Sequence, residues 1–126
     1  MYKEIIRIPL PIVEPTLKMR KLYSPTLNDF IYLRHETRGL FYETTSITDA
    51  SDPHRLPYAA NDYIFQVDSP TIFYTVKEDT LLVYTNHAAD VPPYPSGYFK
   101  VKQIVLPTTE INKLKLHYRS RGLGMF

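Results

Sequence analysis

The residues with the clearest potential to bind a metal ion lie in one polar segment of the sequence. Asp49, Asp52 and His54 are close together in a stretch that prolines break into a loop. Carboxylates and imidazoles bind divalent ions, but this segment lacks the glycine and the distal glutamate of an EF-hand loop, and zinc sites usually have more than one histidine. We therefore expect a turn in which the aspartates bind the local backbone, and we predict no metal and no cofactor.

Histidines and carboxylates that could exchange protons occur in two further places. His35 is followed by Glu36, and His87 precedes Asp90. Neighbouring residues of one strand point in opposite directions, so His35 and Glu36 cannot form a dyad directly. The sequence contains neither a Gly-x-Ser-x-Gly elbow nor a phosphate-binding glycine loop. We predict no catalytic residue and a protein that is not an enzyme; an enzyme with a site assembled from distant residues is the third hypothesis.

Aromatic and basic residues alternate near the end of the sequence, which is the mixture that base stacking and phosphate contact require. Only half of the RNA-binding RNP1 pattern is present, because Ser96 stands where a cation is expected and Phe99 where a small residue is expected. A β domain that binds nucleic acid is therefore the alternative function. Its phosphate contacts are predicted at Lys100, Lys102, Lys113, Lys115, Arg119 and Arg121, with base stacking at Tyr98 and Tyr118.

The segment 112–121 has one apolar side and one basic side when it is drawn as a strand. Leu114, Leu116 and Tyr118 alternate with lysines, a histidine and arginines. A helix also fits, with Thr108 or Thr109 as its cap and Gly122 at its end. We favour the strand, because a helix separates Leu116 from the other apolar residues.

A proline-rich loop precedes these elements. Residues 86–97 include Pro92-Pro93-Tyr94-Pro95, which predicts a stiff, projecting loop in preference to a polyproline II ligand. Tyr94 and Tyr98 offer large contact areas at low entropic cost. The residues predicted to bind a protein partner are Lys113, Leu114, Lys115, Leu116, Tyr118, Arg119, Arg121, Tyr94 and Tyr98.

The charges of the chain are segregated along the sequence. Residues 1–21 carry five basic and two acidic side chains, residues 22–97 four basic and ten acidic, and residues 98–126 six basic and one acidic. The net charge of +2 conceals this pattern. If the segregation persists on the surface, identical copies can dock head to tail.

The chain has the length and composition of a single domain, residues 1–126, with no internal repeat or linker. It contains no cysteine, so disulfides and thiolate metal sites are excluded. Arg7 and Pro9 interrupt any signal-peptide core, and no window is long and apolar enough for a membrane span. We expect a soluble protein that is cytoplasmic on synthesis and does not bind membranes.

Short strands account for most of the sequence. Strands are predicted at 2–8, 16–23, 40–48 and 98–106, and a three-stranded β-meander at 63–67, 71–77 and 80–86. The spacing of apolar residues after Ser24-Pro25 predicts a helix over 25–38, with a hairpin that turns at Arg38-Gly39 as the alternative. The expected fold is mainly β (α+β): a small antiparallel sheet, sandwich or open barrel with a central meander and one short helix.

The predicted function is that of a structural or assembly protein. The strands of the meander are apolar on both faces, in excess of what so short a chain is expected to cover. The short strands rich in tyrosine and proline are similar to those of small bacteriophage subunits, such as tail, connector or head-completion proteins. This similarity implies a virion component whose partners are copies of itself or other structural subunits. Residues 1–22 and 112–126 are then arms that interlock with neighbours.

Overall fold

The computed structural model describes residues 16–39, 42–52, 55, 57, 60–94 and 97–126. The elements, in chain order, are strands β1 (Thr16–Ser24), β2 (Asp29–Arg38), β3 (Tyr42–Thr48), β4 (Tyr63–Ile64), β5 (Phe73–Lys77), β6 (Thr80–Thr85) and β7 (Lys100–Val105), helix α1 (Thr108–His117), a 3-10 turn (Arg119–Arg121) and strand β8 (Gly124–Met125). The predicted mainly β fold is confirmed, as are the strands expected at 16–23 and 98–106 and the described part, Tyr42–Thr48, of the strand expected at 40–48. The strand predicted at 2–8, with most of the N-terminal arm, lies outside the described residues.

The first sheet is antiparallel, with strand order β1-β2-β3-β4. The helix predicted over 25–38 is wrong, because this segment forms a turn and then β2. The backbone N–H of Leu27 does donate to Ser24 Oγ (3.1 Å), as at the start of a helix. Asn28 then takes a left-handed conformation (φ 50°) and returns the chain along β1. The alternative is confirmed: Gly39, with φ 69°, lies in the turn between β2 and β3.

The second sheet has strand order β7-β6-β5-β8. The predicted three-stranded meander is wrong, since β4 pairs with β3 in the first sheet and only β5 and β6 form the expected hairpin. Strands β6 and β7 are parallel, so residues 86–99 must cross from one end of the sheet to the other. This crossing connection carries the proline-rich loop.

The two sheets pack face to face around an aliphatic core. Leu33 and Ile47 of the first sheet and Leu81 and Val83 of the second are essentially inaccessible to solvent. We call the face of each sheet that points toward the other its inner face. Side chains alternate along each strand, so the neighbours of these residues lie on the outer faces.

Helix α1 covers the outer face of the second sheet. The strand predicted over 112–121 is wrong and the helical alternative is confirmed, although the chain enters the helix through Pro107 and not through a threonine cap. Ile111 and Leu114 pack against Phe73. Gly122 ends the following 3-10 turn with φ 72°, as the helical alternative requires. The outer face of the second sheet needs an apolar cover, and this tertiary requirement outweighs the strand-like alternation.

Strand β8 completes the second sheet beside β5. A side chain at Gly124 would clash with the ring of Tyr74, so the close approach of the two strands requires glycine here. With α1 on one face and the first sheet on the other, Phe73 and Tyr74 are both buried. The expected excess of uncovered apolar strand is therefore wrong for β5. Among the described residues, no helix combines the length and the apolar character that a membrane span requires.

Candidate functional site

Hydrogen bonds tie the crossing connection to β4 and to the turn that precedes it. The N–H of Asp90 donates to the carbonyl of Ile64 (2.9 Å), and the N–H of Tyr94 donates to the carbonyl of Ala60 (2.9 Å). The side chain of Asn61 donates to the carbonyl of Tyr94 (2.9 Å). These bonds fix the backbone at Asp90 and at Tyr94, while the side chains of both residues remain exposed.

Three apolar or aromatic side chains of this connection are strongly exposed. Tyr94 is 73% and Tyr98 80% accessible, and Val91 is similarly exposed. Two exposed carboxylates lie beside them. Asp90, whose N–H makes the first anchoring bond, directly precedes Val91, and Asp49 lies next to Gly97, where an added Cβ would be 3.3 Å from Asp49 Oδ2. We call Val91, Tyr94, Tyr98, Asp49 and Asp90 the loop surface. It is aromatic and acidic.

A second exposed surface lies on α1. Leu116 is 80% accessible, because the apolar side of the helix that faces the sheet is formed by other residues. Lys113 on the helix and Arg119 in the following 3-10 turn, three residues to either side of Leu116, are exposed cations. Lys113 also donates to Glu110 Oε1 (3.2 Å), a pair open to water and therefore weak. We call Lys113, Leu116 and Arg119 the helix surface. It is apolar at its centre and basic around it.

The structure separates the predicted partner-binding residues into two groups. Leu114 is buried against Phe73, and the half-buried ring of Tyr118 lies 5.5 Å from the Phe73 ring, so the fold of the chain itself uses both. The others are exposed: Tyr94, Tyr98, Lys113, Lys115, Leu116, Arg119 and Arg121. The apolar side of the predicted strand is thus divided, with Leu116 alone available to a partner.

The residues of the nucleic-acid alternative are only partly brought together. Lys100 and Lys102 lie on the outer face of β7, the side of the second sheet that carries α1. Lys100 pairs with Asp79 (Nζ to Oδ2, 3.3 Å). The Thr80 hydroxyl and Lys100 hold the pKa of Asp79 below its ordinary value. Tyr118, one of the two predicted stacking residues, packs against Phe73 and does not present a free ring.

The candidate metal residues have other contacts. The carbonyl of Asp52 accepts from the N–H of Arg55 (3.3 Å), Asp49 lies beside Gly97, and His54 falls outside the described residues. No cluster of three or more histidines, aspartates or glutamates suited to a metal ion occurs in the described part of the chain. Of the other predicted pair, Asp90 accepts from Gln66 Nε2 (2.6 Å), and the carbonyl of His87 accepts from the Thr85 hydroxyl (2.9 Å).

A cleft of about 460 Å³ opens where the first sheet extends beyond the aliphatic core. Lys18, His35 and Thr45 lie side by side on the inner face of β1, β2 and β3, as the strand register requires. The other lining residues come from the segment before β5, from α1 and from the end of the chain. They are Ser69, Pro70, Thr71, Lys115, Met125 and Phe126.

Both ring nitrogens of His35 are engaged at the back of this cleft. Nδ1 lies 2.6 Å from Thr45 Oγ1, and Nε2 lies 3.0 Å from Glu43 Oε1. The Ser69 hydroxyl donates to the same Glu43 oxygen. Serine, histidine and carboxylate therefore meet, but in the wrong order for a nucleophilic triad, since the serine bonds to the carboxylate and not to the imidazole. Sequence reasoning compared His35 with adjacent Glu36, whereas its partner is Glu43 across the hairpin.

Glu36 belongs to a buried charged network on the outer face of the first sheet. Its Oε2 atom accepts from Arg34 (3.1 Å) and from Arg38 (3.2 Å), and Arg34 is only 1% exposed. Arg55 reaches Asp62 (2.9 Å) and the Thr48 hydroxyl (2.7 Å) on the same side. No sequence pattern indicated this network. The charged residues Arg34 and Glu36 lie on the outer face of β2, where an alternating sequence predicts exposure to solvent, but both are buried.

No known protein family, curated protein or solved structure shows a match to this chain. Its function is therefore inferred from the two exposed surfaces and the cleft. The surfaces suit contact with a macromolecule, and the cleft has the dimensions of a small-molecule site.

Proposed function

We propose that the protein is a non-enzymatic assembly subunit whose copies bind head to tail, with the loop surface of one copy on the helix surface of the next. The observation that carries the proposal is the exposure of Tyr94 and Tyr98 on the crossing connection, with the backbone at Tyr94 held by a hydrogen bond to Ala60. Other structural subunits that present an apolar residue among cations would fit the same loop surface.

The loop surface has the properties of a binding hot spot. Tyrosine is enriched among the residues that contribute most to protein interfaces. The hydrogen bonds to Ala60 and from Asn61 fix the backbone at Tyr94 before any partner arrives. A preorganised backbone lowers the entropic cost of association, so more of the contact energy is retained as affinity.

The charges of the two surfaces are complementary. Asp49 and Asp90 flank the tyrosines, and Lys113 and Arg119 flank Leu116. The surfaces also lie on different sides of the domain: the loop is bonded to the first sheet, and α1 lies on the outer face of the second. A contact between unlike surfaces is heterologous, and it produces a ring when the rotation closes and a filament when it does not.

The setting that we propose for such assembly is a bacteriophage particle. This part of the proposal is supported by the similarity of composition to small tail, connector and head-completion subunits. The self-association itself does not depend on that setting.

Sedimentation velocity of the purified protein over a range of concentrations tests the proposal. We expect the mean mass to rise with concentration for the wild type and to stay at the monomer mass for Tyr94→Ala/Tyr98→Ala. Tyr42→Ala removes a half-exposed tyrosine from β3, outside both surfaces, and is expected to associate as the wild type does. A wild-type protein that stays monomeric throughout, or a double variant that associates normally, would contradict the proposal.

A further inference from the structure

We infer that the cleft between the two sheets binds a small organic anion, with a carboxylate or phosphate head group and an apolar body. This inference is independent of the proposed self-association, since the lining residues belong to neither the loop surface nor the helix surface.

The shape of the cleft suits a small ligand. Its volume of about 460 Å³ lies within the range of known ligand pockets, and it opens where the first sheet extends beyond the aliphatic core. The side chains on this extension are polar: Lys18, His35 and Thr45 take the inner-face positions that Leu33 and Ile47 occupy deeper in the core. The cleft is therefore continuous with the core but lined for a polar head group.

Positive charge converges on the cleft from two separate elements. Lys18 comes from β1, and Lys115 comes from α1 on the other side of the domain's second sheet. Within the part of the chain that the structure describes, neither lysine forms a salt bridge. Two ammonium groups brought to one opening from distant segments favour an anion there.

A carboxylate near the cleft, that of Glu43, is engaged by two other side chains. Glu43 accepts from the Ser69 hydroxyl and contacts His35 Nε2 (3.0 Å). Among the described residues, Glu43 forms an ion pair with neither of the two lysines. Its bond to Ser69 instead holds the segment before β5 against the first sheet.

Three of the other lining residues are apolar and form a surface against which the body of the ligand can pack. Pro70, Met125 and Phe126 lie beside the lysines. Lys18 Nζ is 4.5 Å from the centre of the Phe126 ring, so the ring and the ammonium group are adjacent. An anion attached to a ring or a short alkyl chain matches the charged and the apolar parts of the cleft. Its head group lies at the lysines and its body packs against Phe126.

The test is an NMR titration of the ¹⁵N-labelled protein with phenylacetate and with phenyl phosphate. We expect at least one of them to shift the amides of Lys18, His35, Thr71 and Phe126 in a saturable manner. Phenethyl alcohol, which has the ring without the charge, is expected to bind at least about tenfold more weakly, the loss expected when a charged hydrogen bond is removed. The tighter of the two anions identifies the head group.

Variants separate the cleft from general surface charge. Lys18→Ala/Lys115→Ala is expected to weaken the binding of the same probe by about tenfold or more. Lys77→Ala/Lys102→Ala removes equal charge outside the cleft and outside both exposed surfaces, and is expected to change it less than about twofold. Circular dichroism melts of both double variants confirm that the fold is retained. No saturable shift with either anion, equal binding of the alcohol, or equal effects of the two double variants would overturn the inference.

Discussion

The loop surface and the helix surface both present exposed apolar side chains among charges, but the fold builds them differently. The loop surface stands on irregular backbone that hydrogen bonds tie to Ala60 and Ile64. The helix surface is the solvent side of a regular element whose other side, at Ile111 and Leu114, lies in the core. The comparison shows two ways to make a side chain available: fix the backbone beneath it, or bury its neighbours.

The largest expected effect comes from a substitution on the buried side of the helix that carries the helix surface. Leu114→Ala leaves a cavity against Phe73 and should lower the free energy of unfolding by about 2–5 kcal/mol. Leu116→Ala, two residues away but 80% exposed, should change it by less than about 0.5 kcal/mol. Urea denaturation of both variants measures the difference. Similar losses for the two leucines would contradict the position of α1 on the second sheet.

Reversal of charge on the helix surface should have the next largest effect. Lys113→Glu/Arg119→Glu places acidic groups opposite Asp49 and Asp90 of the next copy, and like charges at an interface oppose docking. We expect self-association to weaken by about tenfold or more when it is measured by sedimentation at low salt. The difference in affinity between the variant and the wild type should decrease as the salt concentration rises. If the self-association of the wild type does not depend on the salt concentration, charge does not orient the copies.

Loosening the loop should have a moderate effect. Asn61→Ala removes the side-chain bond to the carbonyl of Tyr94 (2.9 Å) but leaves both tyrosines in place. We expect about 1 kcal/mol of weaker association, with the stability of the domain nearly unchanged. The matched control is Asn86→Ala, which removes a bond to Thr108 (3.3 Å) away from the loop surface. Equal association of Asn61→Ala and wild type would mean that the loop needs no preorganisation.

The smallest expected effect concerns an ion pair that belongs to neither surface. The Thr80 hydroxyl and Lys100 lower the pKa of Asp79, so the ionised form contributes stability above the carboxyl's ordinary pKa, and this contribution is lost as the pH falls through the lowered value. In an NMR titration, Lys100→Ala should raise the pKa of Asp79 part of the way to its ordinary value, because the Thr80 bond remains. Association at neutral pH should not change. An unchanged Asp79 pKa would show that Lys100 does not act on it.

The described strands whose apolar residues fit only the strand period were predicted correctly. The two segments that fit both the strand period and the helical period were each assigned the wrong type of element. Residues 25–38 have helical spacing and a start like a helix cap, yet Asn28 reverses the chain and β1 supplies a partner strand. Residues 112–121 alternate like a strand, yet the outer face of the second sheet at Phe73 needs a cover. In both segments the local sequence pattern fitted a helix and a strand about equally well. Contacts with the rest of the fold determined which of the two forms.

The exposed tyrosines were predictable and the cleft was not. Proline and tyrosine at 92–95 indicated a projecting loop, and Tyr94 and Tyr98 are indeed exposed. The cleft combines Lys18, His35, Ser69 and Lys115, whose positions along the sequence have no common period. Only the strand register and the packing of α1 bring such residues to one place, so no pattern within a single segment could have indicated the site.

Head-to-tail docking is tested most directly by mixing two variants that each lack one surface. Tyr94→Ala/Tyr98→Ala retains the helix surface, and Lys113→Glu/Leu116→Ala retains the loop surface. Each is expected to sediment as a monomer at concentrations where the wild type associates. Their equimolar mixture should form dimers of one copy of each and nothing larger, because only one intact contact remains. A mixture that stays monomeric, or either variant assembling alone as the wild type does, would contradict assembly through these two unlike surfaces.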